Sequence, residues 1–323
     1  IYAAATPCLG WYFGRQQTST KEYFSGSGNM NPLLIGVSLF ASLLSTISYL
    51  STPGEVLGKG PIYLTNYLAY PFIFVIVAYV LLPVYMRVRV TSAYELLEER
   101  LGLSVRLLGA TMFLLLRLGW MSLLIYAAAK AFCYIIAADA KYEPLVVVIA
   151  GAVALFYASL GGLRAVVVTD LMQSILLYGG AVLVIGVITH RMGFGWFPTE
   201  WNTNWDHQPI LPESPSTRVS LLGTFLSVLI WYVATSGGDQ VSVQRLMATK
   251  DVGAARRAIA MQLSCALLVG ITLGLAGFAM LGYFQQHPEM LPEGHSLKSQ
   301  ADHVFPMFIG THLPPIASGL VAA

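Results

Sequence analysis

The sequence predicts an all-α polytopic membrane protein, and three observations carry that prediction. Of 323 residues, 56% are hydrophobic and only 11% are charged, with a mean hydropathy of +0.67. Ordinary soluble domains carry about 25% charged residues. Several apolar runs approach or exceed the roughly 20 residues that cross a bilayer core. Those runs are rich in Leu, Ala and Val without strand-like alternation, and backbone in lipid must find its partners within the segment, so they are helices rather than barrel strands.

Taken in order, the apolar segments fall near 1–14 (partial), 32–52, 61–86, 105–137, 143–160, 164–189, 219–247, 255–283 and 303–323 (partial). The chain opens inside an apolar run without a methionine and stops at "IASGLVAA", as a fragment of a longer protein would. Cys8, Cys133 and Cys265 stand in apolar context without CxxC spacing and read as small hydrophobes. A net charge of +2 gives no basis for nucleic-acid binding.

The distribution of cations orients the chain. Alternate connections hold Arg15 and Lys21; Arg87, Arg89, Arg100 and Arg106; Arg164; and Arg245, Lys250, Arg256 and Arg257, eleven on one side. The opposite connections hold four: Lys141, Arg191, Arg218 and Lys298. The first set is expected to be cytoplasmic, in the plasma membrane of the cell, with the 15–31 loop on that side. The 190–218 loop is then external, where Trp196, Trp201 and Trp205 suit an interfacial aromatic cap. All six histidines fall in external connections or at their edges, which argues against an intramembrane metalloenzyme. "TSAYELLEERLGLSVR" (91–106) has a capping start, helical apolar spacing and mixed charge; it reads as an interfacial amphipathic helix or a solvated linker helix.

Two spans are interrupted. In "ASLLSTISYLSTPGEVLGKGP" (41–61), hydroxyl residues lead into Pro53 and Gly54, where a break is expected. In "WYVATSGGDQVSVQR" (231–245), two glycines and Asp239 fall within an apolar run. Irregular backbone survives at membrane depth when it is buried in protein or lines a wet cavity. Free carbonyls and hydroxyls suit a hard cation such as Na+, and exposed helix N-termini suit a carboxylate. One such break alone reads equally as a structural kink. Two breaks five spans apart, traversed in opposite directions, fit an inverted repeat.

In "GGLRAVVVTDLMQS" (161–174), Asp170 and Gln173 share a helical face about two turns into the fifth complete span. An intramembrane carboxylate needs water, a cation or a partner. Arg117 lies one third of the way along its span and either pairs, snorkels or meets an anion. Lys130 sits near the outer end of the same span as an interface anchor. "GEVLGKG" (54–60) lacks the spacing, the hydroxyl and the strand of a phosphate loop.

"KEYFSGSGNMNPLLIGVSLFAS" (21–42), "TSAYELLEERLG" (91–102), "GGLRAVVVTDLMQ" (161–173) and "DQVSVQRLMATKDVGAARRA" (239–258) resemble the sodium/solute symporter family. Within it, "SLLSTISYLSTPGEV" and "SAYELLEERLG" look most like the branch that carries monocarboxylates, vitamins, iodide and sialic acids. The resemblance implies a leucine-transporter-type fold of two inverted five-helix repeats with an added N-terminal helix. Here that gives one transmembrane domain: a partial helix and loop at 1–31, a first repeat at 32–189, the external loop 190–218, and a second repeat at 219–323 truncated before its last helices. It implies alternating access driven by Na+, with no other cofactor and no enzymatic activity. Carbonyls near Leu44 and Ile47 map to the main Na+ site, and Asp170 with Gln173 maps to a further ion site or exit route. Thr46, Ser48 and Ser51 face a small organic solute, and Asp239 and Gln240 lie at or beside the pocket; Arg117 is a candidate for a solute carboxylate. Many members carry Asn where this chain has Asp239, which either disfavours an anionic solute or pairs with a cation. The alternative function is a solute-sensing membrane domain fused to a signalling module.

Overall fold

The computed structural model describes residues 8–9, 11–12, 15, 22–23, 26–88, 92, 94–136, 138–206, 208–212, 214, 217, 219–291, 297–298 and 301–322. Ten residues of the partial segment 1–14 and eight of the 15–31 loop, Lys21 among them, therefore lie outside the described residues, as do Arg89 and Arg218 of the charge count. Within them the elements are helical, and five helices are long and apolar enough to cross a membrane.

The first span is two helices, α1 (Pro32–Leu43) and α2 (Thr46–Lys59). Asn31 caps α1, its side chain accepting from the Leu33 N–H at 2.9 Å. The break lies at Leu44 and Ser45, both extended, nine residues before the expected one. Pro53 instead sits inside α2. It is tolerated where Ser51 and Thr52 hydroxyls donate back to the Ile47 and Ser48 carbonyls at 2.7 and 2.6 Å, and where the helix Val252–Gln286 comes close. A Cβ on Gly277 of that helix would stand 2.5 Å from the Pro53 oxygen.

A 3-10 stretch (Gly60–Ala69), α3 (Tyr70–Val75), a π-helical stretch (Ile76–Leu81) and α4 (Leu82–Val88) make the second span. In the π-helical stretch the Ala78 carbonyl accepts from Arg256 Nε at 2.9 Å, and the guanidinium lies over Tyr79. α5 (Glu95–Leu101) buries no residue completely and ends at Gly102, whose φ of 89° stops the helix before α6 (Leu103–Ile135). The amphipathic helix read from 91–106 is therefore shorter, cut by that glycine. α6 turns Leu107, Leu108, Met112, Leu114, Leu115, Leu116 and Leu118 outward, as a lipid-facing helix does. α7 (Glu143–Met192) is two helices meeting at Gly162, where φ is 57°. That kink separates the two spans read at 143–160 and 164–189.

α8 (Leu221–Gly238) and α9 (Gln240–Met247) are separated by one extended residue, Asp239. α10 (Val252–Gln286) is the most enclosed helix, packed on α1, α2 and α7; α11 (Ala301–His312) covers α2, and α12 (Pro315–Ala322) follows. Leu273, Met280, Phe284, Phe305 and Phe308 are fully buried where these helices meet. Met30, Gly162 and Ala248 gather at one end, the basic end, where the Met30 N–H donates to Ala248 O at 3.0 Å. The described residues of the 193–220 loop cover the other end. Trp196 and Trp205 of that loop fold inward, 6% and 7% exposed, and only Trp201 of the three faces outward as expected of an interfacial cap. The inward placement needs glycines: a Cβ on Gly282 would meet Trp196 at 2.7 Å, and one on Gly60 would meet the Trp205 ring at the same distance.

Candidate functional site

The α1–α2 break is held by serine chemistry. Ser45 Oγ accepts from the Ser48 N–H at 3.0 Å and lies 3.0 Å from the Ser48 hydroxyl, capping α2 as serine does at helix starts. Among the described residues no backbone N–H outside the helices reaches the Leu44 carbonyl, while the Ile47 carbonyl accepts the Ser51 hydroxyl. Thr46 opens α2, and its side chain lies outside what the structure describes.

Beside this break is a cavity of about 160 Å³. Leu44 and Ser48 line it from the break, Asn66 and Tyr67 from the 3-10 stretch, and Trp231 and Tyr232 from α8. Tyr67 and Tyr232 each stack edgewise or tilted on Tyr70, at 5.3 and 5.5 Å. Asn66 Oδ1 is buried without a hydrogen-bond partner. An unpaired buried carbonyl costs about 1–3 kcal/mol, so its persistence beside a cavity marks a place for a donor. Of the solute residues expected from sequence, Ser48 lines this cavity; Ser51 lies one turn further along α2, bonded to backbone. Sequence reasoning missed Asn66 and the tyrosines, although Tyr63, Tyr67 and Tyr70 recur at i, i+4 and i+7 in "YLTNYLAY".

The α8–α9 break explains its own aspartate. Asp239 Oδ1 accepts from the Val241 N–H at 2.9 Å, an N-cap for α9, and Oδ2 pairs with Arg117 of α6. Asn would cap equally well; the ion pair needs the carboxylate. Arg117, Asp239 and Gln240 are thus brought together away from the residues that line the cavity. Asp239 follows Tyr232 by about 10 Å of helix rise toward the basic end.

Asp170 has a partner that the sequence did not suggest. Arg245 of α9 donates from Nη2 to Asp170 Oδ2 at 3.3 Å and from Nε to Ser38 Oγ at 2.8 Å, and the Ser38 hydroxyl donates to the same carboxylate oxygen at 2.5 Å. Asp170 and Arg245 are both 8% exposed. Arg245, counted from sequence among the loop cations, is a buried residue joining α1, α7 and α9. Gln173, one turn past Asp170, is half-buried.

At the loop end, Asp206 bonds Lys59 at 2.8 Å and also Lys298. These ammonium groups, Lys298 foremost, hold its carboxyl below the usual carboxylate range. A depressed folded value means that the tie contributes above the unfolded pKa, about 4, and is lost as pH falls through the folded value. Tryptophan fluorescence, reporting the neighbouring Trp201 and Trp205, should shift as pH falls below about 4 in the parent and not in Asp206→Asn. Identical titrations would remove the tie as the cause.

The fold and its two helix breaks define a multi-pass membrane protein built around a pair of discontinuous helices. The chain belongs to the Sodium:solute symporter family, whose profile matches residues 23–323. It is 28% identical to the sodium/sialic acid symporter SiaT of Proteus mirabilis over 336 residues, covering 100% of this chain and 64% of that protein. It is 31% identical to the mouse sodium-coupled monocarboxylate transporter 1, covering 93% and 49%. It is 30% identical to a putative sodium-dependent multivitamin transporter of Drosophila melanogaster, covering 93% and 50%. A solved structure of a substrate-bound, outward-open Na+-coupled sialic acid symporter superposes with a TM-score of 0.83 at 25% identity, over 99% of this chain and 67% of that one. The chain therefore spans half to two thirds of the length of these relatives.

Proposed function

We propose that this chain forms most of the binding region of a Na+-coupled symporter for a small organic solute, working by alternating access in the plasma membrane with its basic end cytoplasmic. The observation that carries the reading is the unpaired Asn66 Oδ1 in a cavity bounded by a helix break. Ser48 presents its hydroxyl to the solute from the cavity wall, and in this reading Thr46 and Ser51 join it once the solute is bound. Arg117, Asp239 and Gln240 meet the solute on its way to the basic end. Carbonyls near Leu44 and Ile47 serve Na+, a hard cation suited to oxygen ligands, and Asp170 with Gln173 serves a second ion. A carboxylate already engaged by Arg245 and Ser38 must loosen one of those bonds to admit a cation, so ion binding at Asp170 would be felt in α1 and α9 together.

A cavity near 150 Å³ can hold a molecule the size of benzene. The enclosed part of this half-open cavity would seat a group the size of a short monocarboxylate. The test is uptake by the full-length parent in proteoliposomes, with sialic acid and short monocarboxylates as separate arms, in Na+ and in choline media. Na+-dependent uptake of the smaller solutes is expected. Equal uptake in the two media would overturn the coupling, and a preference for sialic acid would overturn the size assignment.

A further inference from the structure

The segment that follows α7 forms a second groove with the end of α10, at the loop end of the molecule and opposite the basic end. Its volume is about 430 Å³, within the range of small-molecule pockets, about 300–1,000 Å³. It shares no lining residue with the central cavity. Gly282, in its wall, lies 12 residues along α10 from Gly270 of that cavity, roughly 18 Å of helix rise. Two rings stand at the groove half exposed, Phe197 at 50% and Trp201 at 51%. They are held from behind. Phe197 packs edgewise on Trp196 at 5.9 Å and on Phe278 at 6.3 Å, and Trp201 packs on Trp205 at 5.2 Å. Trp196 is itself fixed, its Nε1 donating to Thr189 Oγ1 at 2.9 Å. Rings locked before a ligand arrives lose little freedom on binding it.

The polar side of the groove is amide chemistry. Asn202 Nδ2 donates to Gln285 Oε1 at 3.1 Å, and Gln285 Nε2 donates back to Asn202 Oδ1 at 3.0 Å. Asn202 Oδ1 also accepts from the Asn204 N–H at 2.9 Å. Each amide side chain has two N–H donors and two lone pairs. Among the described bonds, one N–H on each residue and one lone pair on Gln285 Oε1 stay open to a ligand. Glu200 adds a carboxylate, and among the described residues no Lys, Arg or His lines the groove. This set selects a chemical class. An anion would meet Glu200 and find no cation, and a wholly apolar molecule would bury the amides unpaired. A neutral pyranoside suits both sides. Its C–H face meets the negative face of an aromatic ring, and its hydroxyls donate and accept as the amides do.

We propose that this groove binds a neutral saccharide, apart from the central cavity, with Trp201 stacking on the sugar and Glu200, Asn202 and Gln285 bonding its hydroxyls. The same segment is tied to α2, where Asn204 Nδ2 donates to the Leu57 carbonyl at 3.0 Å and Asp206 bonds Lys59. A bound saccharide therefore also steadies the end of the helix that begins at the α1–α2 break.

The test uses the full-length parent in nanodiscs, because a maltoside detergent carries the ligand class in its headgroup. Calorimetry and saturation-transfer NMR are run with the methyl glycosides of glucose, galactose and N-acetylglucosamine, with cellotetraose, with N-acetylneuraminic acid and with choline. At least one neutral glycoside should bind, with saturation strongest on one C–H face. Trp201→Ala should weaken it about tenfold, the scale of one aromatic contact, and Trp201→Phe should keep most of the affinity. Gln285→Met, which removes the amide at nearly constant volume, should weaken it severalfold. Amide exchange over 57–60 should slow on binding. Equal affinity for a single glycoside and cellotetraose would support a free sugar as ligand, and a severalfold gain for cellotetraose would support a chain end. Should Trp201→Ala fail to fold, Gln285→Met decides. Tighter binding of N-acetylneuraminic acid or choline than of every glycoside would overturn the ligand class. No binding of any neutral glycoside, or affinity unchanged in the variants, would overturn the site. Unchanged exchange over 57–60 at saturation would overturn the link to α2.

Discussion

Arg245→Met should destabilise the folded protein by about 3–5 kcal/mol, because removing one partner of a buried ion pair leaves the other charge uncompensated. Asp170 would keep only the Ser38 hydroxyl, and α9 would lose its attachment to α1 and α7. Thermal unfolding in detergent reads the loss. Arg245→Lys should recover little, since one ammonium cannot repeat the fork that reaches Ser38 through Nε and Asp170 through Nη2. The diagnostic variant is the double change Arg245→Met with Asp170→Asn. Replacing a buried pair by neutral groups is often close to neutral, so the double variant should be markedly more stable than Arg245→Met alone. If it is no better, the loss comes from packing of the long side chain and the pair has little weight.

Gly270→Ala should leave the fold standing and damage solute binding. A Cβ at position 270 would lie 1.7 Å from the Tyr67 hydroxyl oxygen, so the tyrosine has to move. Tyr67 lines the cavity and stacks edgewise on Tyr70, so its displacement reshapes the wall facing Asn66. One surplus methyl group in a pocket changes discrimination roughly 10- to 200-fold, and KM is expected to rise on that scale while overpacking costs about 1–3 kcal/mol. Gly274→Ala is the control. Its Cβ would meet Leu64 at 2.8 Å, and neither residue lines the cavity. Equal KM changes in the two variants would show that crowding of α10, and not the cavity wall, is responsible.

The membrane class and the α8–α9 break were legible because each has a local signature: long runs of Leu, Ala and Val, and two glycines with an aspartate inside one of them. The residues alone pointed to Pro53 for the first break, for an equally local reason, while the resemblance put it ahead of Thr46. Pro53 is a conspicuous helix breaker in sequence, yet it sits inside α2 where neighbouring hydroxyls bond backward and Gly277 lets α10 approach. The actual break at Leu44 and Ser45 has neither proline nor glycine, and only the Ser45 cap announces it. Arg245 was hidden by distance. Asp170 lies 75 residues away along the chain, and a cation near a loop looks the same whether it ends in water or between helices. Trp196 and Trp205 were misjudged similarly, because the glycines that admit them belong to remote segments.

The π-helical stretch at Ile76–Leu81 has a geometric consequence for the second span. Buried positions there run Ile73, the adjacent pair Val77 and Ala78, Leu82 and Met86, so that Val77 to Leu82 is a step of five between steps of four. The five-residue step absorbs the extra residue that the wider turn contains, and it keeps one stripe facing the bundle along the whole span. Rewinding the stretch to an ordinary α-helix would put the two halves out of phase by about 100°, one residue of rotation. Leu82 and Met86 would roll out of the core, and the Tyr85 hydroxyl would leave the Gly237 carbonyl to which it donates. The azimuth of the second half of the span is thus set by the winding at Ala78, where Arg256 is bonded.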